Sequence, residues 1–532
     1  MNNAQLMVRM FEQAGVRSVF GVPSGPVLPL IDALRESATA RFVLTATETS
    51  AAFMAEATGR LTGIPGVCVS TLGPGATNMA TGVGGAWLDR SPVVAITCTY
   101  DSRMLDRRTQ MRIDHLAMFA PMTKAQWRLE PGNMADTLAR AMTLACAEPP
   151  GPVFLELPED VSKAEATEQP IAFEAPPPIT SVAGAGRHVL EALRGAKRSM
   201  VVTGLTFTRA RSREALLRFI DTQRLPYTTT LHAKGFLPES HPFAIGVMGR
   251  ARRTNVQRMI DQADLLICIG YDPIEINYEE WCKRIPVLHL STEHADVDGG
   301  VTLIGDMAGN LDAMIAELAD LPPVPNEWKP EDLARHREQL DRDLRPASNG
   351  MAAYHVLDVL RSRLPHDAIV AYDVGAHTHQ IATQWRTDLP HTAVATNGWS
   401  SMGYGMPAAY AAKLARPERT VVGIVGDGCF QMTVGELAMA RRMGIRAPVI
   451  VLNDGWLGLM KVKQERSHYD YNGSFLGETV GPPEHYFGVP VRGARDEKGL
   501  REALDWALAH DGPTVIEAFI DVEPYSYSVF DK

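Results

Sequence analysis

The stretch that decides the fold is Thr420-Val-Val-Gly-Ile-Val-Gly-Asp-Gly428, followed after a helical pattern by Val449-Ile-Val-Leu-Asn-Asp-Gly455. Both apolar runs are rich in Val and Ile and lack polar alternation. They read as strands buried on both faces, the habit of parallel sheets covered by helices. Each run ends in small and polar residues, Gly426-Asp427-Gly428 and Asn453-Asp454-Gly455. In open α/β sheets ligands bind beyond the carboxyl ends of the strands, so chemistry is expected here. The glycines let backbone N–H groups approach an anion near the N-terminus of a helix expected from about Val434 to Arg442. Asp427 and Asp454, at neighbouring strand ends, offer the hard oxygens that Mg²⁺ prefers. Asp-Gly and Asn-Asp-Gly are also ordinary turn sequences. Their pairing on one sheet is what makes a site of them.

The same grammar extends in both directions. Toward the N-terminus the runs are Ser18–Val22, Phe42–Thr47, Gly66–Ser70, Val93–Thr97 and Val153–Leu157; in the middle, Met200–Thr203, Leu265–Ile269, Val287–Leu290 and Val301–Ile304. Ile369–Tyr372 and Thr514–Ile520 complete the last group. Helical patterns separate them, which predicts three doubly wound, parallel-sheet α/β domains. Proline-rich stretches at 173–182 and 321–349 read as linkers. The expected domains are 1–172, 183–320 and 350–532. Gly151-Pro-Val-Phe-Leu-Glu156 is echoed by Gly512-Pro-Thr-Val-Ile-Glu517, each after an Ala/Leu-rich helix, which suggests that the outer domains are related copies.

Composition sets the outer bounds. A chain of 532 residues, 45% hydrophobic and 21% charged, is long enough for about three cores. Its net charge of −10, with no basic block, argues against nucleic acid as a partner. No apolar run approaches the roughly 20 residues of a membrane span. Met1 to Gly15 reads as an amphipathic helix rather than a signal peptide. Six scattered cysteines without C-x-x-C spacing fit free thiols in the reducing cytoplasm.

These motifs, taken together, resemble the thiamine-diphosphate-dependent enzymes, whose cofactor motif runs from Gly-Asp-Gly to an Asn-Asn pair; here Asp454 stands for the second Asn. The likeness covers the whole chain and narrows to the acetolactate-synthase-like branch, with its pyrimidine-binding, central and diphosphate-binding domains. It is carried by Val19-Phe-Gly-Val-Pro-Ser-Gly25, Glu48-Thr-Ser-Ala-Ala-Phe-Met-Ala-Glu56, Thr71-Leu-Gly-Pro-Gly-Ala-Thr-Asn78, Leu88-Asp-Arg-Ser-Pro-Val-Val94, Asp373-Val-Gly-Ala-His377 and Ser400-Ser-Met-Gly-Tyr-Gly-Met-Pro407.

The resemblance implies a role for each matching residue. Asp427, Asp454 and the carbonyl of Trp456 would hold Mg²⁺. Gly428 and Cys429 would meet the diphosphate through N–H groups, with Gly426, Leu457 and Gly458 completing that cradle. Gly375, His377, Ser400 and Ser401 would line the cofactor, and Met402 would prop it in its bent form. Ser24, Gly25 and Gly75 are the matching positions of the first domain. Taken alone, Glu48 reads as a carboxylate at a helix N-terminus; the resemblance implies instead that it would activate the pyrimidine. Gln110 would face the substrate, with His115 a further catalytic candidate.

The implied activity is a thiamine-diphosphate- and Mg²⁺-dependent 2-oxo acid decarboxylase and carboligase, forming an enamine from an acid such as pyruvate and passing it to an acceptor. A non-ligating decarboxylase, a C–C lyase or hydrolase acting on a diketone or 2-hydroxy ketone, an FAD-linked oxidase and a non-catalytic cofactor-binding protein stay open. The segment Cys268-Ile-Gly-Tyr-Asp-Pro-Ile-Glu-Ile-Asn-Tyr-Glu-Glu-Trp281 resembles members that do without FAD. The branch implies a homodimer at minimum, with a homotetramer expected and sites shared between subunits. Tyr469 to Tyr486, rich in Gly, Pro and Tyr, reads as either a lid or a surface loop.

Overall fold

The computed structural model describes residues 1–529; the last three residues of the expected third domain lie outside them. Three sheets form, each from one of the three groups of apolar runs. The first contains β1 (Ser18–Gly21), β2 (Arg41–Leu44), β3 (Gly66–Thr71), β4 (Val93–Thr99), β5 (Gln126–Arg128) and β6 (Pro152–Pro158), in the order β2-β1-β3-β4-β6-β5 and wholly parallel.

The middle sheet contains β7 (Ser199–Thr203), β8 (Tyr227–Thr229), β9 (Ala244–Val247), β10 (Leu265–Ile269), β11 (Val287–Ser291) and β12 (Leu303–Ala308). Its order, β12-β11-β10-β7-β8-β9, is that of dinucleotide-binding sheets, with the topological switch between β7 and β10. The third contains β13 (Ile369–Tyr372), β14 (Ala393–Val394), β15 (Val421–Gly426), β16 (Pro448–Asn453), β17 (His485–Tyr486), β18 (Val489–Ala494) and β19 (Thr514–Phe519). Its order is β14-β13-β15-β16-β19-β18-β17, and among its pairs only β17–β18 is antiparallel.

Apart from the added β17, the third sheet repeats the strand order of the first. Glu156 on β6 and Glu517 on β19 occupy the same place in the repeat. The sequence echo is therefore a structural one.

Strands absent from the reading of the apolar runs are edge or near-edge elements: β5, β8, β9, β14, β17 and β18. Such strands need less apolar character, because one side or one face is left open. A second departure concerns the helix after Gly426. It starts at Asp427 itself, as Asp427–Thr433, and a second helix covers Glu436–Arg442. Inside the stretch read as the second linker, Pro330–Asp343 is a helix that buries Leu333 and Leu340.

The outer domains share one core. Glu48–Thr62 packs along Gly405–Ala415, with Phe53 edge-on to Tyr404 at 5.5 Å. Buried polar groups cross the same junction. Tyr404 donates to Glu56 Oε2 at 2.5 Å, and Arg60 pairs with Glu56 and Asp89. Buried charges of this kind persist where each has its partner.

Candidate active site at the carboxyl ends of the third sheet

Gly426, the last residue of β15, delivers Asp427 straight into a helix N-terminus, where its carboxylate does two things. Oδ1 accepts the N–H of Gly428 and Oδ2 that of Gly455, both at 2.8 Å, so one side chain ties the turns after β15 and β16 together. Asp454 Oδ1 accepts the N–H of Trp456 at 2.8 Å, while Oδ2 faces Gly458, 3.4 Å from where a Cβ would stand. Burial pushes the Asp427 carboxyl up to about 6. Asp454 is also pushed well up, first by burial and then by the charge of Asp427. Two enclosed carboxylates that repel each other are the arrangement a divalent cation relieves.

The donor set fits Mg²⁺. It is all oxygen, and among the described residues no group of three or more His, Cys, Asp or Glu closes a cage. Further oxygens would come from the Trp456 carbonyl and from a bound phosphate. The cradle beside it is made by absent side chains. A Cβ on Gly428 would lie 2.6 Å from Leu457 Cδ2 and 3.4 Å from Met402 Cε. One on Gly375 or Gly426 would meet the His377 ring at 2.8 or 3.0 Å. His377 is thus wedged between two glycines. Burial lowers it to about 4, so it is neutral, and its Nε2 is enclosed without a partner among the described residues. An unpartnered buried nitrogen aimed at a glycine cradle fits a ligand such as a diphosphate.

Asp373, at the end of β13, holds this cradle to the next loop. Its carboxylate accepts from Val374 and Gly405 at 2.8 Å and from Gly403 at 2.9 Å. Ser400, at φ +52°, spends its hydroxyl on the Asn397 carbonyl at 2.5 Å, and Ser401 on the Met402 carbonyl at 3.2 Å. Cys429 Sγ lies 3.2 Å from the Val374 carbonyl. The structure therefore gathers Gly375, His377, Ser400–Met402, Gly426–Cys429, Asp454 and Trp456–Gly458 at one sheet edge.

The first-domain residues form a separate group. Thr47 caps the helix that begins at Glu48 by accepting the Ser50 N–H at 3.1 Å. Glu48 Oε2 accepts from Asn78 Nδ2 at 3.1 Å, and Oε1 lies 3.0 Å from where Gly75 would carry a Cβ. Ser24 Oγ is enclosed without a partner, and Gly25 opens a short 3₁₀ turn. Gln110 is exposed in the loop before His115. His115 is fully buried. Its Nε2 accepts the Gly73 N–H at 3.0 Å, which leaves the proton on Nδ1, 2.9 Å from Glu156. The ring reaches the site through the Gly73 turn, at φ +62°, with no open edge of its own.

Among the described residues, no hydrogen bond or ion pair joins Glu48 to Asp427, Asp454 or His377. Sequence reasoning had not singled out Asp373, Asn78, Glu436 or Tyr525 as site residues. Tyr525 carries an enclosed, unpartnered hydroxyl whose titration is raised by burial and by the charges of Asp454 and Asp427. Its approach is tertiary, and no local motif signals it.

Comparison with known proteins agrees with this geometry. Residues 1–118 match the thiamine pyrophosphate enzyme N-terminal TPP binding domain, 187–318 the central domain and 373–518 the C-terminal TPP binding domain. A probable acetolactate synthase large subunit of Methanocaldococcus jannaschii is 30% identical over 98% of this chain and 92% of its own. The acetolactate synthase isozyme 1 large subunit of Escherichia coli is 28% identical over 98% and 95%, and the large subunit of Corynebacterium glutamicum 30% over 98% and 87%. A sheet edge built around a glycine cradle and two carboxylates, on a chain alike from end to end, leads to one assignment: the chain belongs to the thiamine-pyrophosphate-dependent enzymes, in their acetolactate-synthase-like branch.

Proposed function

We propose that the chain is a Mg²⁺-dependent 2-oxo acid decarboxylase and carboligase that joins the acyl fragment of an acid such as pyruvate to an acceptor. The observation that carries this reading is the Asp427–Asp454 oxygen pair beside the His377 and Gly428 cradle, in a chain similar to acetolactate synthase large subunits over nearly its whole length. Thiamine diphosphate, when bound, supplies a carbon nucleophile and an electron sink for the acyl fragment. Asp427, Asp454 and the Trp456 carbonyl would hold the cation beside its phosphates. Met402, whose Cε lies 3.4 Å from where Gly428 would carry a Cβ, would pack against the cofactor. Glu48, buried and hydrogen-bonded by Asn78, would hold and return a proton on its carboxylate. Gln110, exposed in the loop before His115, would meet the substrate.

The reading places Glu48 and the Asp427 cluster, which no hydrogen bond or ion pair joins among the described residues, in one site across two subunits, in a homodimer or homotetramer. A cytoplasmic location accords with six free cysteines. No helix among the described residues is long and apolar enough to cross a membrane. FAD has no part in this reading. At the switch between β7 and β10, where a dinucleotide pyrophosphate would sit, Glu275 fills the place. Its carboxylate accepts the N–H of Leu205 at 2.9 Å and of His232 at 3.1 Å.

The test is incubation of the purified protein with pyruvate, Mg²⁺ and thiamine diphosphate. Acetolactate supports the proposal. Acetaldehyde alone would convert it to a simple decarboxylase, and no product would call for another donor. A yellow protein absorbing near about 450 nm would overturn the exclusion of flavin.

A further inference from the structure

Tyr525 is 3% exposed, and its hydroxyl is enclosed without a hydrogen-bond partner among the described residues. The charges that reach this hydroxyl are those of Asp454 and then Asp427. Gly458 shows how close the approach is. A Cβ there would stand 3.4 Å from Asp454 Oδ2, 3.4 Å from Tyr525 Cδ2 and 3.5 Å from Ala376 Cβ. The space in front of Gly458 therefore has a carboxylate oxygen on one side and the phenol ring on the other. Asp454 Oδ1 accepts the Trp456 N–H, whereas no hydrogen bond reaches Oδ2 among the described residues. Hydroxyl and carboxylates face each other without bonding directly, the separation at which a water bridges.

The ring is held there from two directions. It belongs to the short helix Tyr525–Ser528 that follows β19. The first set of ties comes from the helix Gly458–Arg466, which grows out of the Asp454 turn. Its Lys461 pairs with Glu523 at 2.9 Å and with Glu465, and Glu465 in turn accepts from Ser526 Oγ at 2.7 Å. The second set comes from the middle domain. Arg252 donates its N–H to the Ser528 carbonyl at 2.7 Å and its Nη1 to the Tyr527 carbonyl at 3.0 Å. Residues on both sides of Tyr525 are thus fixed, and the backbone aims its side chain. A buried hydroxyl left unpaired destabilises a fold. One placed this firmly points to a ligand that completes it.

We infer that Tyr525 is a positioning residue for the divalent cation, its hydroxyl oxygen accepting a hydrogen bond from a water that the cation brings with it. The inference rests on the Mg²⁺ reading above and adds to it a group outside the metal ligands. Mg²⁺ dehydrates reluctantly and keeps several waters in a protein site. Those waters are polarised donors, and an enclosed oxygen beside the carboxylate pair gives one of them an acceptor. Partners outside the ligands orient a metal site and raise its affinity. The metal-free state leaves the phenol unpaired and the two carboxylates in mutual repulsion, so the loaded state relieves both at once.

The experiment titrates Mg²⁺ into the wild type, Tyr525→Phe and Asp427→Asn at a fixed concentration of thiamine diphosphate and reads the thermal midpoint. The wild-type midpoint should rise with Mg²⁺, and that of Asp427→Asn should not. Tyr525→Phe keeps the ring and should need about ten- to a hundredfold more Mg²⁺ for half of its rise, the range for loss of a group outside the ligands. Without Mg²⁺ its midpoint should match or exceed that of the wild type, because the substitution deletes an unpaired buried hydroxyl. A purely structural tyrosine would do the reverse, lowering the metal-free midpoint and leaving the Mg²⁺ requirement alone. A requirement raised by less than about fivefold, or a metal-free midpoint below that of the wild type, overturns the inference while the cation reading stands. A wild type that does not respond to Mg²⁺ overturns both.

Discussion

Glu436 of the third domain accepts the backbone N–H of Ala46 of the first at 2.9 Å, two residues before Glu48. The same oxygen accepts the Thr47 N–H at 3.3 Å. The helix that carries Glu48 is therefore seated on a carboxyl group from a different domain.

That seat is pH-sensitive. Burial pushes the Glu436 carboxyl from 4.5 up to about 7, against the pull of its hydrogen bonds. A carboxyl raised in the folded state stabilises it below the unfolded value, and the contribution is lost as pH rises through the folded one. The wild-type thermal midpoint should therefore fall, relative to Glu436→Gln, between about pH 5 and about pH 8, by the equivalent of about 1–3 kcal/mol. Parallel pH profiles for the two proteins would show that Glu436 does not titrate there.

Removing the Glu48 carboxylate should abolish turnover while leaving the fold intact. Glu48→Gln keeps the helix start, which Thr47 caps. We expect at least a hundredfold loss of kcat, on the order typical of a lost proton-transfer group, with an unchanged thermal midpoint. Undiminished turnover would refute the proton role.

Asp427→Ala should eliminate Mg²⁺-dependent retention of thiamine diphosphate, measured by calorimetry. The substitution removes an oxygen donor and also releases the Gly428 and Gly455 N–H groups that Asp427 holds. Asp427→Asn, which can still accept a hydrogen bond but lacks the charge, should retain the fold and lose the metal dependence. Unaltered binding in both variants would remove the metal assignment.

His115 predicts a stability effect in place of a chemical one. His115→Ala leaves the Gly73 N–H without a partner and removes the nearest contact of buried Glu156 Oε1, although Arg112 still donates to that oxygen at 3.4 Å and Arg128 to the other at 2.7 Å. The unfolding free energy obtained from urea titration should drop by about 2–4 kcal/mol. A collapse of kcat at unchanged stability would instead make the imidazole a catalytic group.

Central strands were legible because their character is local. A run such as Val449–Leu452, apolar on both faces, can only lie inside a sheet. Gly426-Asp427 and Asn453-Asp454 were legible for the same reason, since strand ends and turn residues are neighbours in sequence. Edge and near-edge strands such as β5 and β18 carry half the apolar signal and were missed. The helix expected from about Val434 to Arg442 is present as Glu436–Arg442, whereas the short helix Asp427–Thr433 before it was missed, because its start depends on the glycine turn and the fold around it.

What the sequence determined by itself was therefore the alternation of strands and helices, the three-sheet architecture, the echo between the outer domains and the residues at the third sheet's edge. Tertiary structure decided everything that depends on groups far apart in the chain: Glu436 beneath Ala46, His115 behind Gly73, Glu275 in the middle crevice and Tyr525 facing Asp454. The physical reason is range. Hydrophobic patterning and turn chemistry act over a few residues, whereas the partner of a buried charge is chosen by whichever element folding brings within hydrogen-bond distance.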